Sequence, residues 1–428
     1  SVTNTVRAGG FTSLVSLSYD RTDGVNDALK FRQGGGYAKL GYDFAGPWRM
    51  GADFTLTNFK GRDRIYPTLS DPTSTDVYRQ NVTRGEASVS VTNNYGSTDG
   101  NAMLYYSYGN HIIDDPRHFR SNDNRLGALL FQNFRPWQGA GMTAGFDFNT
   151  YSGKIPVSGG RPHTDGSKTT ISRKRITEYS PYLTLSQSLM DEMIVLNGGL
   201  RMSNSDMFHT GWVPQCGVSV NPGHGFNIKA SLSKGYRNPS FRELYLYAMA
   251  NPDLEPESMM NYEVSLSRRF GSGATASLTA YYCKGDNMIQ TLDMKNQNTG
   301  RFINKGIEAS LGWQPVTSLS LSATYSYLHT SLRDLTGAPR YQYYIGADWR
   351  VSPTVNIGAD LKGVSRLFVH ESIDHQSYAV VNLKASWSAC RHADLFVRIE
   401  NLTDASYVIN RGYDMPGLSV LGGFKLHF

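Results

Sequence analysis

Apolar and polar residues alternate along nearly the whole chain. The stretch from 37 to 44 reads YAKLGYDF, in which Ala38, Leu40, Tyr42 and Phe44 alternate with Tyr37, Lys39, Gly41 and Asp43. The same period of two recurs at 50–57 and at 341–350. Successive side chains of a β-strand point to opposite faces, so the pattern predicts strands with one apolar and one polar face. One face can contact hydrocarbon while the other contacts water.

The pattern predicts 21 strands, many of them ten residues or longer. A tilted strand needs about 9–11 residues to cross a bilayer, whereas strands of soluble sheets usually have about five or six. The predicted strands are 1–8, 11–20, 35–45, 49–60, 83–95, 100–111, 124–136, 141–153, 173–188, 193–205, 212–221, 225–237, 256–269, 274–288, 299–314, 319–330, 338–351, 355–367, 376–389, 394–406 and 417–428.

The connections between these strands alternate between short and long. Tight turns include AGPW at 45–48, PWQG at 136–139, NPGH at 221–224, QPVT at 314–317 and SPT at 352–354. The long loops are 21–34, 61–82, 112–123, 154–172, 238–255, 289–298 and 407–416. Short periplasmic turns and longer extracellular loops are typical of outer-membrane barrels.

The composition fits a membrane barrel better than two or three soluble domains. Of the 428 residues, 12% are aromatic and 18% are charged, and the chain has 26 tyrosines and 43 glycines. No run of about 18 apolar residues occurs, which excludes membrane-spanning helices. Only every second residue of a barrel strand faces lipid, so a negative mean hydropathy is compatible with a barrel. We therefore predict an all-β fold, a transmembrane antiparallel β-barrel domain that occupies residues 1–428.

The alternation of turns and loops also predicts the direction of each strand. The chain ends in LGGFKLHF, where Phe424, Leu426 and Phe428 share one face. If this last strand runs towards the periplasm, the strand at 1–8 does so too, and an upward strand must precede it. An open barrel edge cannot be left in lipid, so we expect a 22-stranded barrel with 21 strands in this chain. Four tryptophans are expected at the periplasmic interface: Trp48, Trp137, Trp313 and Trp349.

Neither the net charge nor the cysteines nor the candidate nucleophiles favour another class of protein. The net charge is +6, but the basic residues are scattered, and the nearest cluster, SRKRIT at 172–177, is interpreted as solvated loop charge. Nucleic-acid binding needs a basic patch on one face. The three cysteines, Cys216, Cys283 and Cys390, are far apart and lack metal-ligand spacing. No nucleophile has a neighbouring base, so we predict no catalytic residues and no enzyme.

Four stretches of the chain carry a family resemblance. They are SLSYDRTDG at 16–24, SLSKGYRNPSFRELY with NPDLEPE at 231–257, NTGRFINKGIEASLGW at 298–313, and the ending at 395–428. Together they resemble the TonB-dependent receptors of the Gram-negative outer membrane, and the likeness covers essentially the whole chain. YRNPSFRELY and GYDMPG are similar in style to receptors of the Bacteroidota.

The resemblance implies parts and partners that lie outside this chain. Receptors of this family have an amino-terminal plug domain in the lumen and a short box that engages TonB, and neither is present here. We expect both to belong to a longer receptor. The implied partners are TonB, acting through the plug, and a surface lipoprotein.

The segment GYRNPSFRELYLYAMANPDLEPES at 235–258 interrupts two strand patterns. Proline withholds a ladder hydrogen bond, and SFRELYLY is expected to coil briefly with Ser240 as the N-cap and Glu243 at the third position. Its aromatic faces and its arginine would lie near the barrel mouth, where they can meet a planar or anionic ligand. The predicted ligand contacts are Tyr236, Arg237, Phe241, Tyr245 and Tyr247. The resemblance makes this segment a frequent family feature, so it indicates the class better than the cargo.

Histidines in or beside the predicted loops suggest a haem site. Imidazole nitrogens can hold haem iron axially, and the candidate ligands are His163, His329 and His370. Long loops collect polar residues in any case, so a solvated histidine is the competing interpretation. Loop methionines would suit copper but also serve as adaptable apolar contacts.

Aspartates in two loops suggest a calcium site. Ca²⁺ takes several oxygen ligands, and the candidates are Asp71, Asp76, Asp114 and Asp115. The resemblance implies such a site, because similar loop sites occur in the cobalamin branch of the family. Asp, Ser and Pro also cap and bend turns without any metal, and we favour that interpretation.

Active import of a scarce metal chelate is the predicted function. An iron–siderophore or haem would bind the loops and pass inward when TonB pulls on a plug. The alternatives are cobalamin import by the same mechanism and a non-transporting binding protein or passive porin with the same wall. The expected setting is the lipid of the cell outer membrane, with no nucleic-acid partner.

Overall fold

One antiparallel sheet of 21 strands dominates the fold. The structure, a computed structural model, describes residues 1–24, 29–64, 77–114, 119–156, 171–246, 249–271 and 273–427. The sheet begins with β1 (Val2–Ala8), β2 (Phe11–Thr22), β3 (Phe31–Asp43), β4 (Trp48–Arg64), β5 (Val77–Asn94), β6 (Thr98–Asp114), β7 (Phe119–Phe134), β8 (Ala140–Pro156), β9 (Ile171–Leu189), β10 (Ile194–Ser205), β11 (Gly211–Gly223) and β12 (Phe226–Arg237). All of these correspond to predicted strands.

The second half of the sheet contains two inserted hairpins and follows one short helix, α1 (Phe241–Tyr245). Its strands are β13 (Glu257–Arg269), β14 (Ala274–Asp286), β17 (Phe302–Val316), β18 (Leu319–Thr330), β19 (Tyr341–Arg350), β20 (Val355–Leu367), β21 (Gln376–Cys390), β22 (Ala393–Glu400) and β25 (Ser419–Leu426). The hairpins are β15 (Ile289–Leu292) with β16 (Lys295–Asn298), and β23 (Val408–Asn410) with β24 (Tyr413–Asp414). In the part of the chain that the structure describes, no helix is long and apolar enough to cross a membrane.

Each strand of the sheet pairs with the next one along the chain. The hairpins are passed over, so that β14 pairs with β17 and β22 with β25. Among the described residues, β1 pairs only with β2 and β25 only with β22, which makes these two the sheet edges. With 21 antiparallel strands the two edges run in the same direction, so an all-antiparallel closure needs one more strand. The predicted 22nd strand stays a prediction.

The sheet curls until its two ends approach each other. The hydroxyl of Tyr413 on β24 donates to the carboxylate of Asp63 on β4 at 2.6 Å, although 350 positions separate the two residues. The hairpin of β23 and β24 therefore bridges the region between the edges. The backbone groups of the wall pair from strand to strand, which is the condition for a sheet to span lipid.

Short turns gather at one end of the wall, called the turn end, and long connections gather at the other, called the loop end. Gly9 and Gly10 join β1 to β2, and His224 and Gly225 join β11 to β12. The chain terminus also lies at the turn end, where the amide of His427 donates to the carbonyl of His392 at 2.9 Å. The predicted alternation of short and long connections is confirmed.

The two faces of the wall differ in polarity. Large apolar side chains remain exposed on the outward face, among them Val89, Leu104, Val264 and Ile345, each more than half exposed. The inward face carries ion pairs, including Lys39–Asp53 at 3.5 Å, Arg201–Asp147 at 2.5 Å and Lys384–Asp348 at 2.6 Å. An apolar exterior around a polar interior is the arrangement of a barrel in lipid.

Tryptophans mark the turn end of the outward wall. The predicted four lie in or beside the short turns, and Trp387 is paired with Val355 at the same level. All five are exposed: Trp48, Trp137, Trp313, Trp349 and Trp387. Trp212 begins β11 at the loop end. Indole rings at one level suit the interface between hydrocarbon and water.

The predicted strand limits differ from the structure mainly at the loop end. β4 continues to Arg64 and β5 begins at Val77, so the connection is shorter than the predicted loop at 61–82. The β5 extension, VYRQNV at 77–82, mixes polar and apolar residues on both faces, and GRDR at 61–64 has no apolar face, so both lack the alternating signal. β22 ends at Glu400, not at 406, because Asn401 has a φ of 51° and turns the chain. Basic residues of the 172–177 run, interpreted as loop charge, lie on β9.

The outward face of β6 provides a test of the membrane orientation. We expect Leu104→Arg to lower the free energy of unfolding in lipid vesicles by about 2–4 kcal/mol, the cost of an arginine near the bilayer midplane. The matched control is Ser88→Arg on the inward face of β5, which should change it by less than about 1 kcal/mol. Denaturant titration followed by tryptophan fluorescence measures both, and equal costs would contradict the assignment of faces.

Candidate functional site at the loop end

The connection between β12 and β13 folds into a compact unit around α1. Pro239 is fully buried, and Ser240 is the N-cap of the helix. The Ser240 hydroxyl accepts from the Glu243 amide at 3.3 Å, and the Glu243 carboxylate accepts from the Ser240 amide at 2.7 Å. This capping box satisfies amides that the first helical turn leaves without partners. The short coil predicted from the sequence is confirmed, while Tyr247 lies outside the described residues.

Arg237 lies between two carboxylates at the end of β12. Its Nε donates to Glu257 at 2.6 Å, and its two Nη atoms donate to Glu243 at 2.9 and 3.1 Å. Burial opposes ionisation of Glu243, but hydrogen bonds from Arg237 and Ser240 outweigh it and lower the pKa of that carboxyl. The three charged groups carry one net negative charge together. These contacts favour a structural role for Arg237 over the predicted contact with an anionic ligand, which stays a prediction.

The aromatic residues predicted as ligand contacts pack against the inner wall. Leu244 is fully buried against Ile176 of β9, and Phe241 meets the Tyr245 ring edge-on with centroids 5.3 Å apart. Phe241 also lies 6.3 Å from the ring of Tyr151 on β8. This apolar cluster therefore anchors the helix to the wall, and only parts of the rings remain exposed.

The hydroxyls of two predicted contacts also have partners within the protein. Tyr245 donates to the sulfur of Met207 at 3.4 Å, and Tyr236 donates to the carbonyl of His209 at 3.1 Å. Both tyrosines are thus tied to the connection between β10 and β11. Their role towards a ligand remains a prediction.

The hairpin of β15 and β16 clasps this unit from the other side. The Asn296 side-chain amide donates to the Glu243 carbonyl at 3.1 Å, and Asn251 donates to the Asn296 carbonyl at 2.9 Å. Asn298 exchanges two hydrogen bonds with the backbone of Glu255, at 2.9 and 3.0 Å. Sequence reasoning assigned this hairpin to a loop, because its turn residues, Asp293 and Met294, lack the usual Asn-Gly or Asp-Gly signal despite positive φ angles.

A cavity of about 850 Å³ lies inside the barrel between the inward faces of β14 and β17–β22 and the segment 401–418. Its lining combines apolar and aromatic surface with charged and polar side chains, including Glu308, Gln342 and Lys362. Tyr378 and Tyr407 stack at its edge with ring centroids 4.0 Å apart. This volume is within the usual range for small-molecule sites. Sequence reasoning did not identify these residues, because they are brought together from strands distant along the chain.

The segment 401–418 is held over the cavity by a buried asparagine. Asn401 is only 3% exposed, and its side-chain amide donates to the carbonyls of Ala405 at 2.9 Å and Pro416 at 3.0 Å. Its side-chain oxygen accepts from the Ala405 amide at 2.9 Å. A single asparagine thus folds the segment inward. Asn401 begins the NLTDASY run at 401–407, which lies in one of the stretches that carry the family resemblance.

The histidines predicted as haem ligands do not converge in the described structure. His329 pairs with Lys305 and lies on the face that carries Ile307 and Tyr325, which is the outward face. Both ring nitrogens of His370 have partners, with Nδ1 2.9 Å from Ser372 Oγ and Nε2 2.9 Å from the guanidinium of Arg411. His329 therefore does not meet the condition that would favour haem, a side chain pointing over the lumen, and its role towards a ligand stays a prediction. His163 lies outside the described residues.

Most of the predicted calcium ligands lie outside the described residues, namely Asp71, Asp76 and Asp115. Asp114 ends β6 opposite Arg79 of β5. Across the ranges that the structure describes, no group of three or more acidic, histidine or cysteine residues could hold a metal ion. The calcium site stays a prediction.

Comparisons with known proteins agree on the kind of barrel. Residues 6–402 match the family described as TonB dependent receptor-like, beta-barrel. The vitamin B12 transporter BtuB of Photobacterium profundum is 26% identical over 250 residues, which are 55% of this chain and 40% of that protein. The ferrienterobactin receptor of Escherichia coli is 21% identical over 318 residues, 58% of this chain and 42% of that protein. The chain thus spans less than half of these curated relatives.

A solved structure matches nearly the whole chain. The siderophore receptor PirA of Acinetobacter baumannii superposes with a TM-score of 0.83 at 15% identity and covers 98% of this chain and 76% of that one. At this identity the similarity establishes the fold alone. Together with the 21-stranded sheet, it confirms the predicted antiparallel β-barrel fold with 21 strands in this chain.

The carboxylate pair around Arg237 provides a test of how the loop end is held. Arg237→Met should leave Glu243 and Glu257 without their cation and lower the local opening free energy by about 1–3 kcal/mol, allowing for partial exposure. Hydrogen exchange of the Leu244 and Asn251 amides should then be about 10–100 times faster. The control is Arg301→Met, which removes an exposed pair with Asp286. Equal protection in both variants would contradict the role of Arg237.

Proposed function

Because the chain belongs to the TonB-dependent receptors, a family of the Gram-negative outer membrane, we propose that it forms the wall of an active importer of metal chelates. The observation that carries this proposal is the cavity inside the barrel, lined partly by charged and polar side chains and lying below long connections gathered at one end. A ligand entering from the loop end would reach this cavity without contacting hydrocarbon. In this proposal, TonB drives transport by acting on a plug that belongs to the complete receptor.

An iron–siderophore is the cargo that these observations favour. The cavity offers aromatic faces from Tyr378 and Tyr407, a cation from Lys362 and several polar groups, which suit a bulky polar chelate. Haem is less favoured, because His329 faces outward and both ring nitrogens of His370 are already bonded. The ferrienterobactin receptor of Escherichia coli supports the same cargo class by its name.

Cobalamin is the second candidate for the cargo. Its support is the similarity to the vitamin B12 transporter over 250 residues. A passive porin or a non-transporting binding protein is the competing mechanism. A surface lipoprotein at the loop end is a further proposed partner, and its support is the resemblance of the 236–245 and 412–417 segments to receptors of the Bacteroidota.

Uptake by cells that carry the intact receptor tests the proposal. Labelled ferric siderophore, haemin and cyanocobalamin are supplied with and without an uncoupler that collapses the proton gradient. We expect uptake of a ferric siderophore that stops with the uncoupler. Uptake that survives the uncoupler would indicate a porin and contradict active import. Uptake of cyanocobalamin alone would overturn the siderophore assignment and leave the importer in place.

Two tyrosine variants test whether the siderophore binds in the cavity or elsewhere on the barrel wall. Tyr407→Ala removes a cavity residue and should weaken siderophore binding at least about tenfold, the loss of roughly 1.4 kcal/mol of contact. Tyr106→Ala removes an outward tyrosine of β6 that is 47% exposed and lies outside the cavity, and it should change binding less than about twofold. Equal affinities measured by titration of the purified receptor would contradict the cavity as the binding site.

A further inference from the structure

Two charged side chains that face the cavity inside the barrel have no ionic partner within the described chain. Glu308 of β17 and Lys362 of β20 both belong to the cavity lining, and both are exposed. Among the described residues, no cation lies within 4.0 Å of the Glu308 carboxylate and no carboxylate lies within 4.0 Å of the Lys362 ammonium. Lys384 differs in this respect, because it pairs with Asp348 at 2.6 Å. Glu308 and Lys362 are therefore available to a bound molecule.

The register of the wall fixes the spacing of these two charges. Glu308 is opposite Ser326, which is opposite Gln342. Gln342 in turn is opposite Val364, two positions from Lys362. Three strand spacings of about 4.8 Å therefore separate the two charges by about 14 Å across the wall. Ser326 and Gln342 lie between them and offer uncharged hydrogen-bonding groups.

The rest of the lining adds no positive charge. Among the described lining residues, the other charged side chain is Glu400, which Arg398 approaches at 3.5 Å. Most of the remaining polar groups are hydroxyls, such as those of Thr324 and Tyr344. The lining as a whole therefore carries two carboxylates and one ammonium, and most of its hydrogen-bonding groups are neutral.

The segments that join the lining strands at the loop end are balanced in charge. They are 287–301, 331–340, 366–375 and 401–418. Their basic residues are Lys295, Arg301, Arg333, Arg340, Arg366 and Arg411. Their acidic residues are Asp293, Asp334, Glu371, Asp374, Asp404 and Asp414. A cargo that enters on this side of the barrel therefore meets no excess of positive charge that would attract an anion.

Ferric siderophores fall into chemical classes that differ in charge. Three hydroxamate groups carry one negative charge each and neutralise Fe³⁺, so a ferric trihydroxamate centre has no net charge. Three catecholate groups carry two negative charges each, so a ferric triscatecholate keeps three negative charges. Charges that leave water without enough partners cost free energy. One ammonium group cannot compensate three negative charges beside two carboxylates.

We propose that the cavity selects a ferric hydroxamate over a ferric catecholate, and that Glu308 and Lys362 set this selection. The inference rests on the proposed import function and narrows its cargo. Lys362 donates to a hydroxamate or amide oxygen of the chelate. Glu308 accepts from an N–H or ammonium group of the same molecule. A triscatecholate is disfavoured because it would bring its negative charges close to Glu308 and Glu400.

Titration of the purified intact receptor with three chelates tests the selection. The probes are ferrichrome, a neutral hydroxamate, ferrioxamine B, a hydroxamate with one ammonium group, and ferric enterobactin, a triscatecholate. Quenching of tryptophan fluorescence reports binding. We expect each hydroxamate to bind at least about tenfold more tightly than ferric enterobactin.

Glu308→Lys should shift the affinities in opposite directions according to the charge of the chelate. We expect ferric enterobactin to bind at least about tenfold more tightly, ferrioxamine B at least about tenfold more weakly, and ferrichrome within about threefold of the unaltered receptor. The control is Glu86→Lys, which makes the same charge change on the inward face of β5, outside the cavity lining. It should leave all three affinities within about twofold, because salt screens distant charges.

The outcomes separate this inference from the proposed function. Tighter binding of ferric enterobactin than of both hydroxamates, or equal shifts in the two variants, would overturn the charge selection and leave active import in place. Uptake of none of the three chelates by cells, or uptake that survives the uncoupler, would contradict the import proposal on which the inference rests. Heat-dependent gel mobility verifies that each variant is a folded barrel.

Discussion

The need to pair every backbone hydrogen-bonding group in a medium without water governs this structure. Hydrocarbon offers no partners, so each strand must find its partners in its neighbours. The continuous ladder from β1 to β25 meets that condition across the described wall. The curl of the sheet, shown by the contact between Tyr413 and Asp63, brings its two edges together. The same constraint assigns irregular backbone to the ends of the barrel and to its interior.

The segments at the loop end keep their polar groups satisfied by folding onto one another. The capping box at Ser240, the carboxylates around Arg237 and the asparagines of the β15–β16 hairpin form one bonded unit. Asn401 does the same for the segment that covers the cavity. Residues that looked like ligand contacts in the sequence, Arg237 above all, are largely engaged in this internal bonding. The cavity formed by distant strands is left as the place for cargo.

The strands could be predicted from the sequence because lipid on one side and water on the other impose a strict period of two. All 21 wall strands and the coil at 240–245 were predicted, the latter from the spacing of Ser240 and Glu243. The short hairpins could not be predicted, since their strands have only two to four residues and the β15–β16 turn lacks the usual sequence signal. The direction of His329 could have been read from parity with Tyr325. The cavity required knowledge of which distant strands face one another.

The most direct test of the account is whether successive side chains of one strand contact lipid and water in alternation. Single cysteines are placed at each position from 50 to 58 in β4 of the intact receptor, in which Cys216 and Cys390 are replaced. In outer membranes, a charged maleimide reports access from water. A fluorophore attached to the same cysteine reports contact with lipid through quenching by spin-labelled lipid. The account predicts labelling from water at 53, 55 and 57 and quenching by lipid at 52, 54 and 56. Labelling without a period of two, or water access at every position, would contradict it.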